Sequence, residues 1–379
     1  MFVKSLRNIM RGAAPMGLML WSTVANADWA LNLREGVTPV SHQVYGLHMY
    51  ILWIVTIIGV GVFAVMSWSI FHHRKSKGAV AAQFHHNTIA EITWTIIPIL
   101  ILIAIAVPAT KTLVFMEQTG DAEITLKVTG YQWKWKYDYI EDDLSFFTTL
   151  AKDSNEARQL NSGIDPASVD NYLLQVDKPI VLPVNTKIRI LTTADDVLHA
   201  WWVPDLGWKR DAIPGFINDN WAYIEEPGTY RGQCAELCGK DHGYMPIVLK
   251  AVSKEDYRTW IADTKQAQID ALANSDREWA KDELMTKGEE VYNGACAACH
   301  MANGQGLGAF PALAGSAIAT GPLPEHLDMV INGKADTMMA AFGGQLSDAE
   351  LAAVITFERN SWGNDTSDVV QPADVKAAR

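Results

Sequence analysis

Residues Gly232–Ile247 read GQCAELCGKDHGYMPI. Two cysteines four positions apart, Cys234 and Cys238, are followed at once by His242 and Met245, and His199 lies upstream. Thiolate, thioether and imidazole donors select copper over hard cations. A one-copper blue site needs two His, one Cys and a weakly bound Met, so the second thiolate is surplus to that set and points to a second copper. Outward from this loop, the remaining cysteines, Cys296 and Cys299, stand in CAACH. That is the attachment pattern of a c-type haem, in which both thiols bond to the haem edge and the adjacent His300 ligates iron. No cysteine is left over for a disulfide framework. The chain reads as an electron carrier with two different redox centres.

At 379 residues the chain is long enough for two or three units, and the order of signals along it agrees. Lys4, Arg7 and Arg11 precede an apolar stretch from Ala13 to Val24 and a small-x-small pattern at Ala25, Asn26 and Ala27, which predicts a secretory signal peptide over 1–27. No residue is charged from Met49 to Phe71, nor from Ile92 to Thr110. Each run meets the roughly 20 residues of a helical span, so a transmembrane hairpin is expected, with helices at about 45–71 and 90–112 inside an N-terminal segment 28–119. The connection HHRKSKGAVAAQFHHNT (72–88) holds Arg74, Lys75 and Lys77 and no acid. The positive-inside rule places it in the cytoplasm and everything after Lys111 on the opposite side. Pro98 is compatible with a span, because neighbours in a membrane re-satisfy the backbone. His72, His73, His85 and His86 flank the turn and read as interfacial. The formal charge of −12 belongs mostly to the exported part, and nothing suggests nucleic-acid binding.

From 120 to 252 short β-rich stretches alternate with turn residues, the pattern of a sandwich or barrel. ITLKVTGYQWKWKYDY (124–139) has the clearest period of two, which places Tyr131, Trp133, Trp135 and Tyr137 on one face and Gln132, Lys134, Lys136 and Asp138 on the other. Residues 142–170 are rich in Asp, Ser, Asn and Thr without clear periodicity and read as a surface insertion. A polar, helix-prone stretch over 253–281 reads as a connector, and 282–361 as a small all-α haem domain, with a tail at 362–379. In that domain 282–295 forms the first helix, and the closing helix starts at Ser347 with Glu350 completing a capping box and Leu351, Val354, Ile355 and Phe357 turned inward.

DDVLHAWWVPDLGWKRDAIPGFIN (Asp195–Asn218) followed by the Gly232–Ile247 loop resembles the binuclear copper domain of cytochrome c oxidase subunit II. With a haem c domain appended, the chain is similar to the fused, caa-type members of that family, over roughly residues 40 to 361. The resemblance implies a transmembrane hairpin, a cupredoxin-like β-sandwich and a class I cytochrome c domain. It implies a binuclear copper A centre held by His199, Cys234, Cys238, His242, Met245 and the backbone carbonyl of Glu236. It makes Trp133 the point at which electrons enter; where relatives commonly place another aromatic next, this chain has Lys134. The Glu236 carboxylate would suit a magnesium or manganese ion at the interface with the catalytic subunit, and Glu91 matches an acid at the mouth of a proton pathway. Pro311 fits the proline that shapes the haem pocket, and the sixth iron ligand, expected three residues before a Phe, is Met339 rather than Met338, because of Phe342.

The function implied is that of subunit II of a terminal oxidase in the bacterial inner membrane, with its redox domains outside the cytoplasm. Electrons from cytochrome c or a quinol–cytochrome c reductase would pass through haem c and copper to subunit I, which reduces oxygen and pumps protons, with subunit III and lipid as further partners. The spans offer only His48, so the oxygen chemistry lies in another subunit. A nitrous oxide reductase would require a histidine-rich domain and no hairpin, and the sequence argues against it. A nitric oxide reductase subunit and a membrane-tethered shuttle stay open, the latter disfavoured by Glu91 and Glu236.

Overall fold

The computed structural model describes residues 32–80, 83, 85–159, 162–275, 277–335 and 337–379; the expected signal peptide, 1–27, lies outside them. Two apolar helices come first, α1 (Pro39–His72) and α2 (Thr88–Met116), their apolar side chains largely exposed along the spans. Each is longer than the uncharged run within it. A 34-residue helix is about 50 Å long, against roughly 30 Å of hydrocarbon, so its N-terminal turns project beyond the bilayer. Those turns dock on the following domain. Thr38 and Ser41 form a reciprocal capping box, the Thr38 hydroxyl also donates to the Leu206 carbonyl, and Val40 is buried. At the end of α2, the Trp221 indole donates to the Met116 carbonyl and stacks edge-on with Phe115 at 5.3 Å.

The next domain is a sandwich of two five-stranded sheets. In the first, β1 (Ile124–Tyr131), β2 (Lys134–Tyr139) and β3 (Leu144–Thr148) form a meander, and β1 pairs in parallel with β5 (Lys187–Ala194), which carries β8 (Asn218–Tyr223). The second runs β4 (Ile180–Pro183), β10 (Pro246–Val252), β9 (Gly228–Cys234), β6 (His199–Val203) and β7 (Trp208–Ala212). Trp135, Tyr137, Trp201, Leu126, Ile188 and Leu249 fill the space between the sheets. Two expectations are corrected here. The 124–139 stretch is not one strand but a hairpin turning at Gln132–Trp133, with Tyr131 opposite Lys134 and Gly130 opposite Trp135. Cross-strand partners share a face, so Tyr131 lies on the face opposite Trp135 and Tyr137. Residues 142–170 are also more than a surface insertion. Leu144, Phe146 and Thr148 alternate inward on β3, and α3 (Lys152–Ala157) follows.

The helix α4 (Lys254–Ser275) leads to the third domain. Its helices are α5 (Lys281–Ala295), α6 (Ala297–His300), α7 (Ala317–Thr320), α8 (Leu323–Asn332), α9 (Asp348–Asn360) and α10 (Pro372–Ala378). α5 crosses α9 at Gly288, where any Cβ would lie 2.1 Å from the Ala353 carbonyl oxygen, so only glycine permits the approach. The tail expected beyond 361 is part of this domain. Trp362 packs on Tyr292 with ring centroids 4.7 Å apart, Val370 and Val375 are buried, and Arg379 pairs with Asp348 at 2.6 Å. Leaving two valines in water would forfeit about 3–5 kcal/mol of apolar burial, which is why this polar-looking tail folds back.

Candidate metal centre and haem attachment site

β6 and β9 are neighbours with Trp201 opposite Cys234, which places His199, at the start of one, beside Cys234, at the end of the other. Gly130 on β1 admits the imidazole, since a Cβ there would stand 2.7 Å from His199 Cδ2. Around this point five side chains converge. His199 Nδ1 is 3.8 Å from Cys234 Sγ, Cys234 Sγ 3.9 Å from Cys238 Sγ, Cys238 Sγ 3.5 Å from His242 Nδ1 and 3.6 Å from Met245 Sδ, and the Glu236 carbonyl 3.4 Å from Cys234 Sγ. Metal bonds of about 2.0–2.3 Å to tetrahedral N and S donors give edges near these values, whereas a disulfide would need an S–S distance of about 2.05 Å. The donor set therefore fits soft metal ions bridged by two sulfurs.

The electrostatics of the loop point the same way. A hydrogen bond from Cys238 pushes the Cys234 thiol down to about 3, against burial, with His199 as a further donor. Cys238 moves up because it sits beside that thiolate and is itself buried. The two thiols are thus pushed in opposite directions by their contact, and a metal ion held between them would take both as thiolates. His199 donates from Nε2 to Asp196 at 3.0 Å, which leaves Nδ1 free as the ligand atom. Burial would raise the Asp196 carboxyl, but donors from His199, Gln132 and Val197 outweigh it and hold its pKa below the usual range. Trp133 Nε1 and Gln132 Nε2 both donate to the Cys238 carbonyl, at 3.1 and 2.9 Å, and Trp135 Nε1 donates to the Met245 carbonyl at 3.2 Å. The hairpin turn is thus tied directly to the loop.

In the helical domain, Cys296, Cys299 and His300 follow α5 on one helical turn, with the His300 amide donating to the Cys296 carbonyl. His300 Nδ1 donates to the Pro311 carbonyl at 2.8 Å, orienting the ring and leaving Nε2 as the ligand atom. Burial, and then Glu358 beside it, pushes the Cys296 thiol up and so favours its neutral form in this apolar setting. These residues fit a covalently attached haem. Met339 is half-buried, while Met338 is 60% exposed. The carboxylates of Glu91 and Glu236 join neither cluster. Glu91 is exposed in the first turn of α2, and among the described residues the half-buried Glu236 carboxylate belongs to no group of three or more candidate metal ligands.

Two features went unread in the sequence. His326 and Glu358, both buried, pair at 2.8 Å. Glu358 continues the inward 351, 354, 355 row of α9, and that periodicity was the available signal. Lys134, on the outer face of β2, is also buried, its ammonium 4.8 Å from the Phe147 ring and 5.2 Å from that of Phe342 in the helical domain; desolvation lowers its pKa to about 8.

Comparison with known proteins matches residues 26–112 to the transmembrane domain of cytochrome c oxidase subunit II, 124–252 to its periplasmic domain, and 283–357 to the family described as cytochrome c oxidase, cbb3-type, subunit III. A probable cytochrome c oxidase subunit 2 of Rickettsia prowazekii is 41% identical over 235 residues, covering 62% of this chain and 72% of the relative. The cytochrome c oxidase subunit 2 of Cereibacter sphaeroides is 36% identical over 240 residues, 61% of this chain and 79% of the relative. The crystal structure of the periplasmic domain of subunit II (CoxB) of Bradyrhizobium japonicum aligns at 36% identity over 40% of this chain and 99% of that one, with a TM-score of 0.35.

Proposed function

Because the chain belongs to the cytochrome c oxidase subunit 2 family and carries a cytochrome c domain behind its copper domain, we propose that it is the electron-delivering subunit of a caa-type oxidase. Electrons enter its haem domain from a soluble cytochrome c or a quinol–cytochrome c reductase, reach the copper loop, and leave for subunit I, where oxygen is reduced and protons are pumped. The observation that carries this reading is the convergence of His199, Cys234, Cys238, His242 and Met245, with the Glu236 carbonyl, in a chain that also presents Cys296, Cys299 and His300 on one helical turn.

When bound, a binuclear copper A centre and a covalent haem c supply the reversible one-electron steps. The chain's own residues position and tune them. Asp196 fixes the His199 ring, and Pro311 fixes that of His300. Trp133, bonded to the Cys238 carbonyl, gives a short covalent and hydrogen-bonded route into the loop, which supports it as the point where electrons enter. Because Gln132, Trp133 and Trp135 hold the loop from outside, little rearrangement accompanies a change in its charge. The iron would take Met339 as its sixth ligand. Glu236, placed with its carbonyl toward Cys234, would offer its carboxylate to a magnesium or manganese ion only together with ligands from subunit I, and Glu91 would open a proton path at the cytoplasmic end of α2. The exposed sides of α1 and α2 would meet subunit I, subunit III and lipid. Arg74, Lys75 and Lys77 support a bacterial inner membrane location with both redox domains on the periplasmic side.

Purification of the chain from membranes should bring down a multi-span, histidine-rich subunit, and the complex should consume oxygen with reduced cytochrome c. Recovery of the chain alone from membranes that keep full oxygen consumption, or a complex that turns over nitric oxide but not oxygen, would contradict the assignment.

A further inference from the structure

The segment that the sequence left without a role stands between the two redox sites. On one side, Arg158, just after α3, pairs with Asp241 at 3.1 Å and lies over the Tyr244 ring at 4.2 Å; these positions flank His242 and Met245 in the copper loop. The pair is nearly sealed from water, with 13% of the Arg158 side chain and 4% of the Asp241 side chain exposed. Arg158 Nε also donates to Asn155 Oδ1 at 2.7 Å, which fixes the amide. On the other side, Asn155 Nδ2 donates to the Asn293 carbonyl at 2.6 Å, three residues before Cys296. The last carbonyls of a helix have no intrahelical partner, and Asn293 is in the last turn of α5. The copper domain therefore caps the helix that delivers the haem cysteines.

A second contact repeats the arrangement. Lys240, between Cys238 and His242, sends Nζ to the Ala298 carbonyl at 2.5 Å and lies 5.4 Å over the Phe310 ring. Ala298 belongs to the short helix α6, and a cation at a helix C-terminus is favourable. Residues 277–379 carry twice as many acidic as basic side chains, yet the copper domain, also acidic, meets them here through Lys134, Lys240 and an asparagine held by an arginine. Domains joined by a polar interface of this kind move relative to one another by default. Against that default, the helix that leads into Cys296 and the short helix that carries Cys299 and His300 both receive donors from the copper domain.

We propose that α3 and its flank, through Asn155 and Arg158, together with Lys240, form a docking splint that holds the haem-attachment helices against the copper loop. The haem domain then works from one fixed pose and not as a swinging tether. Asn155, Arg158 and Lys240 are positioning residues, and this role rests on reading the two clusters as the donor and acceptor centres.

The test uses the purified complex containing the full chain. Asn155→Asp keeps the acceptor for Arg158, and so the anchor on the copper loop, but sets a carboxylate against the Asn293 carbonyl; Lys240→Met keeps the apolar stem and removes the ammonium. After flash reduction of the haem, transfer to copper in the unaltered chain should be insensitive to added glycerol. In the double variant it should be about tenfold slower, because docking must now precede transfer, and should slow further with glycerol. An unchanged rate in the double variant would overturn the proposal. So would a slower rate indifferent to glycerol, which would place the defect in the centres themselves. No haem-to-copper transfer in the unaltered chain would instead overturn the reading of the two centres.

Discussion

Replacing Cys234 with Ser is expected to abolish the mixed-valence copper resonance while leaving the haem c spectrum intact. Cys234 contacts three donors of the cluster at once, His199 Nδ1, the Glu236 carbonyl and Cys238 Sγ. A serine hydroxyl is a hard, poorly ionised donor, so it can neither bridge two soft ions nor share their unpaired electron. Residues that merely orient a metal ligand typically cost about 10–100-fold in affinity or activity, so loss of a bridging ligand should lower oxygen consumption by at least ~100-fold. The haem is spared because its ligands and attachment cysteines lie in a different domain with its own core. Electron spin resonance and visible spectra of one sample check both halves. Retention of the multi-line copper pattern in the variant would remove Cys234 from the site.

Met339→Ala should abolish the weak near-infrared sulfur-to-iron band and lower the haem potential, while Met338→Ala leaves both in place. The loop that carries the two methionines is held at both ends: the Lys334 amide donates to the Met339 carbonyl, and the Phe342 and Gly343 amides donate to the Val330 and Ile331 carbonyls at the end of α8. Gly333 makes this possible, with φ at 69° and no room for a Cβ, which would lie 2.6 Å from the Met339 carbonyl oxygen. With the backbone pinned there, Met339 is half-buried and Met338 is 60% exposed. Thioether ligation raises the potential of a haem, so its loss should also slow delivery of electrons to copper. Loss of the band in Met338→Ala alone would shift the register by one residue.

Features written in local chemistry were legible without the structure: charge-free runs long enough to span a bilayer, CAACH, and a loop in which Cys, His and Met crowd into twelve residues. What escaped was decided by contacts distant in sequence. The alternation of Tyr131, Trp133, Trp135 and Tyr137 is real along the chain, but a turn at Gln132–Trp133 converts it into a hairpin, and no glycine or Asn-Gly pair marks that turn. β3 hides its alternation of Leu144, Phe146 and Thr148 inside a segment whose polar composition dominates. Lys134 obeys the period-two rule and is still buried, because the cover over it, Phe342, is about two hundred residues away. Asn155 and Arg158 look like ordinary surface residues until the helix and loop they join are both in place. The C-terminal tail reads as polar because Val370 and Val375 are isolated in sequence, and their burial depends on α9.

The central claim is that electrons pass within this chain from the haem domain to the copper loop, and time-resolved absorbance after flash photoreduction of the intact complex tests it most directly. Haem reoxidation and copper reduction should proceed with one shared rate constant, unchanged when the protein is diluted tenfold or when free cytochrome c is left out. A copper reduction rate that rises in proportion to added cytochrome c, with the haem signal lagging behind it, would contradict the account.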